Sequence, residues 1–215
     1  MVAECSTRHR SERSASEQVR QQVVDYVRHE ICRYGIHRLT MDGIARGMRV
    51  SKRTLYQLFP QKTSLIRLSL DEIAREARQS VAVEPPPSAE KAMQRLFELL
   101  DAYVSLLHTY GSVLLTDMAP DADYEPFIES EKDFWYRHIV EALEQCHAYG
   151  WLLKEPTPQV IADNLFHTIF EQCRQGVDFG EQQLMCRVVL RGFFRREKIG
   201  YIDELLAVDT ERGIA

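Results

Sequence analysis

The sequence lacks the short motifs that mark most catalytic and metal sites. It contains no Gly-x-x-x-x-Gly-Lys-Ser/Thr phosphate loop, no Gly-x-Ser-x-Gly nucleophile turn and no His-Glu-x-x-His zinc pattern. None of its 7 histidines lies four residues from another, so no two would share one helix face as zinc ligands. We therefore expect no catalytic residues, no metal site and no cofactor. The alternative is that the protein is an enzyme that uses His and Cys side chains in the C-terminal part of the chain. Substitution of His138 would test this alternative.

Paired cysteines and long apolar runs are also absent. The 5 cysteines are odd in number, are widely spaced and form no Cys-x-x-Cys pair, which argues against a disulfide framework and against a zinc site. No apolar run approaches the ~20 residues of a membrane span. The first 16 residues are rich in Ser, Arg and Glu and contain no apolar segment typical of a secretory signal. We therefore expect a cytoplasmic protein without a membrane span.

Strand-like alternation is absent as well, and nearly every segment after residue 16 has apolar residues at a period near 3.6. The sequence therefore predicts an all-α fold. With 45% hydrophobic residues, a chain of 215 residues can bury a substantial core. Proline, glycine and capping residues divide the pattern into helices at about 17–34, 40–48, 51–59, 62–83, 88–110, 112–118, 126–150, 157–176 and 181–196.

The charge is distributed unevenly along the chain. The net charge is −5, which is unusual for a protein that binds nucleic acid. Residues 1–62, however, carry 12 Lys and Arg against 6 Asp and Glu, whereas the remainder carries 15 against 26. Positive potential is therefore concentrated in the N-terminal part, and the acidic overall charge does not exclude DNA binding.

Residues 40–62 are predicted to form two short helices joined by a tight turn. Thr40 is expected to cap the first helix and Ser51 the second. In the second helix Leu55, Leu58 and Phe59 recur at helical spacing and are expected to face the core. The outward side is then expected to carry Lys52, Arg53, Thr54, Tyr56 and Gln57. These groups suit phosphates and base edges in the DNA major groove, and a solvated polar face is the alternative.

These residues together resemble a known family. The pattern Val50-Ser51-x-x-Thr54-Leu55-Tyr56-x-x-Phe59-x-x-Lys62, preceded by Thr40-Met41-x-x-Ile44-Ala45 and by Gly35, is similar to the N-terminal domain of the tetracycline-repressor (TetR) family of transcriptional regulators. The resemblance implies a helix-turn-helix homodimer that binds a palindromic operator and leaves it when a small molecule enters the C-terminal domain. It also implies that Thr40, Tyr56 and Lys62 contact phosphates. The residues that would approach bases are Lys52, Arg53, Thr54 and Gln57, on the helix that Ser51 caps.

The segment departs from the family pattern at the turn. Members of the family usually have Ala-Gly before Val-Ser, whereas this chain has Met48 and Arg49. Without glycine, either Arg49 adopts a left-handed conformation at an energetic cost or the turn has a different shape. Leu58 stands where the family often has histidine, which removes one phosphate contact.

The last two helices have apolar residues on more than one side, which indicates burial against more than one neighbour. They are either central core helices or helices that pair with their copies in a second chain, and the family resemblance favours a four-helix dimer interface. The residues expected at that interface are Ile161, Leu165, Ile169, Leu184 and Val188. Two DNA-reading helices held about 34–36 Å apart would then read a palindrome.

Aromatic residues and histidines are frequent in the C-terminal part of the chain. Such side chains line apolar pockets with a few orienting hydrogen bonds, although core packing explains any one of them by itself. The residues expected to contact an effector are Phe97, Met118, Trp135, His138, Phe166, His167 and Phe170. A small, mainly hydrophobic or aromatic molecule is the expected ligand.

The sequence thus predicts a ligand-responsive, DNA-binding transcriptional regulator that acts as a homodimer, most often a repressor in such a family. We expect a flexible N-terminal tail at 1–16, a helix-turn-helix DNA-binding domain at 17–62 and a helical ligand-binding and dimerisation domain at 63–215. The alternative is a helical small-molecule- or partner-binding protein that does not recognise an operator, and the Arg49 turn is its best support.

Overall fold

A computed structural model of the chain describes residues 3–79, 81 and 86–204, with side chains from residue 16 onward. Regular structure within these ranges is helical, apart from an antiparallel bridge between Leu152 and Phe194. The helices are α1 (Ala3–Tyr34), α2 (Met41–Gly47), α3 (Lys52–Leu58), α4 (Lys62–Arg78), α5 (Ala89–Met118), α6 (Glu125–Ala148), α7 (Pro158–Arg174) and α8 (Phe179–Arg191). The predicted all-α fold is confirmed. None of these helices, as far as the chain is described, is long and apolar enough to cross a membrane.

The helices form two compact units. The first unit comprises Met1–Glu76 and Val113–Phe127, and the second comprises Ala77–Ser112 and Ile128–Ala215. The first unit therefore contains α1, α2 and α3, and its second stretch includes the C-terminal end of α5. The domain limits 1–16, 17–62 and 63–215 stay predictions.

Each unit has its own apolar core. In the first unit the fully buried residues come from all of its N-terminal helices and include Val23, Val27, Ile31, Ile44, Leu55, Leu65, Ile66 and Leu70. In the second unit they include Met93, Leu96, Leu100, Trp135, Ile139, Leu143, Ile169 and Leu190. Along α5 the apolar residues that recur at helical spacing are all buried, and they are Met93, Leu96, Phe97, Leu100, Val104 and Leu107.

Several helix ends differ from the predicted ones. The first helix begins at Ala3, so the predicted start of the helix at residue 17 is wrong. No glycine or proline precedes Gly35, so nothing in the sequence interrupts the helix there. The helix predicted from 181 begins at Phe179 because Asp178 caps it by accepting hydrogen bonds from the backbone N–H groups of Gly180 and Glu181. It ends at Arg191 rather than at residue 196.

Two predicted helices, at 88–110 and 112–118, form one element with a break inside it. Ser88 Oγ accepts from the Lys91 N–H at the start of α5. Gly111 interrupts the helical geometry with φ of 74° and ψ of 157°. The predicted boundary between the two helices is therefore present as a kink at Gly111 within α5. The end of the helix predicted at 62–83 falls partly outside the described residues, and α4 is described to Arg78.

Candidate nucleic-acid interface

The helix α2 is fixed at its start by a side-chain cap and along one face by burial. Thr40 Oγ1 accepts a hydrogen bond from the Gly43 N–H at 3.0 Å, which satisfies a donor that the first turn leaves unpaired. Met41, Ile44 and Ala45 are buried against the rest of the first unit. The predicted cap is therefore present, and the residues at helical spacing on α2 share one buried face.

The turn between α2 and α3 has the hydrogen bonds of a Schellman motif. The Val50 N–H donates to the Ala45 carbonyl at 3.0 Å, and the Arg49 N–H donates to the Arg46 carbonyl at 3.2 Å. This pattern requires a left-handed residue directly after the cap Met48, and Arg49 takes that conformation with φ of 56°. Of the two possibilities left open by the sequence, the structure has the strained arginine. The conformation costs an L-residue about 1–2 kcal/mol relative to its ordinary helical geometry.

The helix α3 presents polar side chains on one side and apolar ones on the other. Ser51 Oγ accepts from the Thr54 N–H at 3.0 Å and caps the helix. Leu55 and Phe59 are 0% and 3% exposed, so they anchor the helix to the core of the first unit, while Leu58 is half-buried. The exposed side carries Lys52, Arg53, Tyr56 and Gln57, with Thr54 half-buried beside them. A helix of seven residues has little stability of its own, so packing by Leu55 and Phe59 holds this polar face outward.

An ion pair lies on the exposed surface shared by α2 and α3. Lys52 Nζ donates to Asp42 Oδ2 at 2.6 Å, and both side chains are more than half exposed. An exposed pair of this kind contributes at most about 1 kcal/mol. Lys52 can therefore exchange Asp42 for another acceptor at little cost.

The connection between α1 and α2 is held by side chains from two distant helices. Asp117, near the end of α5, accepts hydrogen bonds from the Ile36 N–H at 2.8 Å and the His37 N–H at 3.3 Å. Lys62 Nζ, at the start of α4, donates to the Ile36 carbonyl at 2.8 Å. These bonds fix the segment that leads into Thr40 and hence the position of α2.

Lys62 consequently has a structural contact that the sequence did not reveal. Its partial burial lowers the pKa of its ammonium group, while Asp117 and Asp121 oppose this effect. The ammonium has three donors, of which the Ile36 carbonyl takes one. The phosphate contact expected of Lys62 stays a prediction. It would have to use the donors of the ammonium group that are not bonded to the Ile36 carbonyl.

The residues expected to contact an effector do not all lie together. Trp135 and Phe166 belong to an aromatic cluster whose centre is Tyr103, with ring centroids 5.8 Å and 4.5 Å from its own. Phe97 stacks instead on Phe194 at 6.3 Å. His138 Nδ1 donates a hydrogen bond to the Phe134 carbonyl at 2.8 Å. His167 is exposed and Phe170 is half-buried. Met118 is buried in the first unit, so it does not belong to the same core as the others.

The aromatic cluster also contains residues that the sequence analysis did not select. Tyr103 is buried, which raises the pKa of its hydroxyl. Phe134 contacts the Trp135 ring edge-on, and the Arg78 guanidinium lies 4.5 Å from the centre of the Phe134 ring. Helical spacing could have identified Phe134, because it lies four residues before His138 on α6 and their ring centroids are 4.4 Å apart. Its partner Arg78 is brought close only by the fold.

The indole N–H of Trp135 is unusual in this cluster. The residue is 0% exposed, and its Nε1 has no hydrogen-bond acceptor in the part of the chain that the structure describes. A buried donor without an acceptor costs about 1–3 kcal/mol. This atom therefore offers a favourable position for an acceptor from outside the chain.

A separate cavity of about 390 Å³ lies on the second unit along α6. It is lined by Asp133, Tyr136, Arg137, Val140, Glu141 and Glu144. Tyr136 Oη donates to Asp163 Oδ1 at 2.9 Å beside it. These residues are mainly charged, and none of the residues expected to contact an effector lines the cavity.

The five residues expected at a dimer interface divide into two sets. Ile161, Leu165 and Ile169 on α7 are 1%, 4% and 0% exposed, so they face the core of their own protomer. Leu184 and Val188 on α8 are 61% and 53% exposed. On α7 the apolar stripe is covered by the core of the second unit, which is the alternative to a dimer interface that the sequence left open.

The exposed apolar set on α8 includes two residues besides the predicted Leu184 and Val188. Met185 and Val189 are 44% and 41% exposed and stand beside Leu184 and Val188 at helical spacing. Cys186 and Leu190, on the opposite side of the helix, are buried. The helix α8 therefore has one apolar face in the core and a second apolar face on the surface.

Comparison with known proteins identifies the N-terminal segment. Residues 28–68 match the family described as bacterial regulatory proteins, tetR family. This span covers the end of α1, all of α2 and α3 and the start of α4. No curated protein sequence matches the chain.

Solved structures resemble most of the chain. A protein from Saccharomonospora viridis, solved in complex with choline, has 15% identity and a TM-score of 0.68, covering 84% of this chain and 100% of its own. A TetR-family transcriptional regulator from Marinobacter aquaeolei has 15% identity and a TM-score of 0.65, with coverages of 86% and 96%. AibR, solved with isovaleryl coenzyme A and operator DNA, has 17% identity and a TM-score of 0.59, with coverages of 74% and 88%. At these identities the likeness establishes a shared fold.

Proposed function

We propose that this chain, whose residues 28–68 belong to the tetR family of bacterial regulatory proteins, is a ligand-responsive transcriptional regulator that binds a palindromic operator as a homodimer, most simply as a repressor. The observation that carries the proposal is the outward polar face of α3. Leu55 and Phe59 anchor this short helix, and its cations, amide and hydroxyl groups are left exposed. A DNA major groove is wide enough to admit such a helix.

The proposed contacts follow from the chemistry of each exposed group. Arg53 and Gln57 can each make paired hydrogen bonds to a base edge, while Lys52 and Thr54 approach bases near the start of the helix. Thr40 and Tyr56 would contact phosphates. Lys62 would do so with the two donors that are not bonded to the Ile36 carbonyl. Ser51 contributes by capping the helix. The excess of positive charge in residues 1–62 supports this assignment, because it would attract the phosphate backbone.

A dimer is supported by the apolar surface of α8. One short helix reads too few bases to specify an operator, whereas two helices about one turn of DNA apart read both halves of a palindrome. The exposed residues Leu184, Met185, Val188 and Val189 form an apolar patch that the same patch of a second copy would cover across a two-fold axis. A change in the separation of the two DNA-reading helices would then abolish simultaneous binding and most of the affinity.

A small, mainly hydrophobic or aromatic effector is supported by the cluster around Tyr103. Proteins of this fold have been solved with choline and with isovaleryl coenzyme A. In this chain the buried Trp135 N–H would donate to an acceptor atom of the effector, and Phe166 would contact its apolar part. The effector would thus be an apolar molecule that carries at least one hydrogen-bond acceptor.

Binding to a pool of random-sequence duplexes at several salt concentrations tests the DNA-binding proposal. Neutralising several phosphates predicts a steep linear fall of log K with log salt. Sequences selected from the pool should form a palindrome. Gln57→Ala should relax the preference at one base position of each half-site, and Lys62→Ala should weaken binding to all sequences about equally.

A flat salt dependence with no selected sequence would favour the alternative, a helical small-molecule- or partner-binding protein that does not recognise an operator. The unusual turn at Arg49 was the main support for that alternative. The turn, however, retains the Schellman hydrogen bonds that a glycine would form. The arginine in the turn therefore does not weaken the DNA-binding proposal.

A further inference from the structure

Arg49 has a backbone conformation that this chain otherwise gives to glycine. Four glycines, Gly35, Gly111, Gly150 and Gly176, have φ between 72° and 78°. Among the residues that the structure describes, Arg49 is the one non-glycine residue with positive φ. An arginine here is strained, and a strained residue that persists calls for a compensating interaction.

Within the part of the chain that the structure describes, the Arg49 side chain makes no interaction that supplies this compensation. The Arg49 side chain is exposed, and its guanidinium makes no hydrogen bond or ion pair in the described part of the chain. Its backbone hydrogen bonds belong to the Schellman motif, which glycine would form equally well. The side chain therefore contributes nothing to the folded protein that would offset the strain of its backbone.

The position of Arg49 indicates where a partner would lie. Arg49 is separated from α3 by Val50 and Ser51 alone, and it lies between two further exposed arginines, Arg46 and Arg53. A guanidinium is always charged and presents a planar fork of donors that matches a phosphate. When α3 lies in a major groove, the turn before it approaches the sugar-phosphate backbone at the edge of that groove.

We propose that Arg49 is an additional DNA-binding residue that contacts a backbone phosphate beside the groove that α3 occupies. This inference rests on the proposed function, and it explains why a strained arginine occupies a position suited to glycine. The contact would be independent of sequence, because a phosphate carries no base identity. Arg49 would thus strengthen binding to operator and non-operator DNA alike.

The experiment compares wild-type protein with Arg49→Gly, Arg49→Ala and Arg49→Lys. Each is titrated with random-sequence duplexes and with a selected operator across a range of salt concentrations. For Arg49→Ala we expect about a tenfold loss of affinity for both DNAs and a salt slope smaller by about one. Arg49→Lys should retain most of the affinity, because an ammonium also binds phosphate.

Arg49→Gly separates the two roles of the position. It should lose as much affinity as Arg49→Ala while raising the melting temperature, since glycine removes the backbone strain. A loss of DNA binding together with a gain in stability is not expected of a merely structural residue. Arg137→Ala, which removes an exposed arginine from α6 in the second unit, is the matched control and should change neither property.

The outcomes distinguish this inference from the proposed function. If wild-type protein shows a flat salt dependence, the proposed DNA binding itself fails. A steep slope in wild-type protein that is unchanged in Arg49→Ala would overturn the role of Arg49 and leave the proposed function standing. A loss confined to one base position of the operator would also overturn it, because Arg49 would then contact a base.

Discussion

The apolar face of α8 makes a quantitative prediction about assembly. The substitutions Leu184→Glu and Val188→Glu, made together, should convert a dimer into a folded monomer. Both side chains are more than half exposed in the protomer, so the change leaves the core of the second unit intact. Glutamate at these positions would have to be desolvated in a dimer, and carboxylates from the two copies would meet near the two-fold axis.

The magnitude follows from the exposed fractions of the four apolar residues. Leu184, Met185, Val188 and Val189 are 61%, 44%, 53% and 41% exposed. Complete burial of such a side chain stabilises by about 1.5–3 kcal/mol, so covering its exposed half contributes about 1 kcal/mol. The double substitution therefore removes about 4 kcal/mol from the dimer, counting both copies, which raises the dissociation constant about a thousandfold.

Sedimentation equilibrium over a range of protein concentrations measures this change directly. Circular dichroism should show unaltered helix content, because the substituted side chains do not contribute to the core. Val113→Glu is the matched control, since Val113 is 48% exposed, belongs to the first unit and is not part of the apolar face of α8. A wild-type protein that is monomeric at micromolar concentration, or a double variant that dimerises as tightly as wild type, would refute the reasoning.

Three further predictions concern the first unit, its surface charge and a buried thiol. Gly47→Ala would place a Cβ 2.2 Å from Tyr26 Oη, so it should destabilise the protein by about 1–3 kcal/mol in urea unfolding, and less when Tyr26→Leu is also present. Asp42→Asn should release Lys52 and steepen the salt slope of DNA binding by up to about one, and an unaltered slope would contradict this. Burial raises the pKa of Cys146 from 9.0 to about 12, so the folded state favours the protonated thiol. The contribution of this thiol to the free energy of unfolding is complete below pH 9 and is lost as the pH rises towards 12, with a loss on the order of 1 kcal/mol at pH 10. Urea unfolding at pH 8 and pH 10 should therefore show a smaller decrease in stability for Cys146→Ala than for the wild-type protein.

The local features of the DNA-reading segment were predictable because they depend on neighbouring residues. The caps formed by Thr40 and Ser51 each bond to a backbone N–H three residues further on. The end of α1 at Gly35 and the inward faces of α2 and α3 follow from glycine geometry and from helical spacing. Interactions across three or four residues can be identified in the sequence without knowledge of the fold.

The sequence alone therefore determined the all-α class, most helix positions and the polar face of α3, because these depend on contacts that are close along the chain. The tertiary structure decided that Asp117 and Lys62 hold the connection at Ile36, since their partners lie 81 and 26 residues away. It also decided that α7 turns its apolar stripe inward while α8 leaves Leu184 and Val188 exposed. An apolar period shows that a helix face will be buried, but only the packed chain shows whether its own core or a second molecule must cover that face.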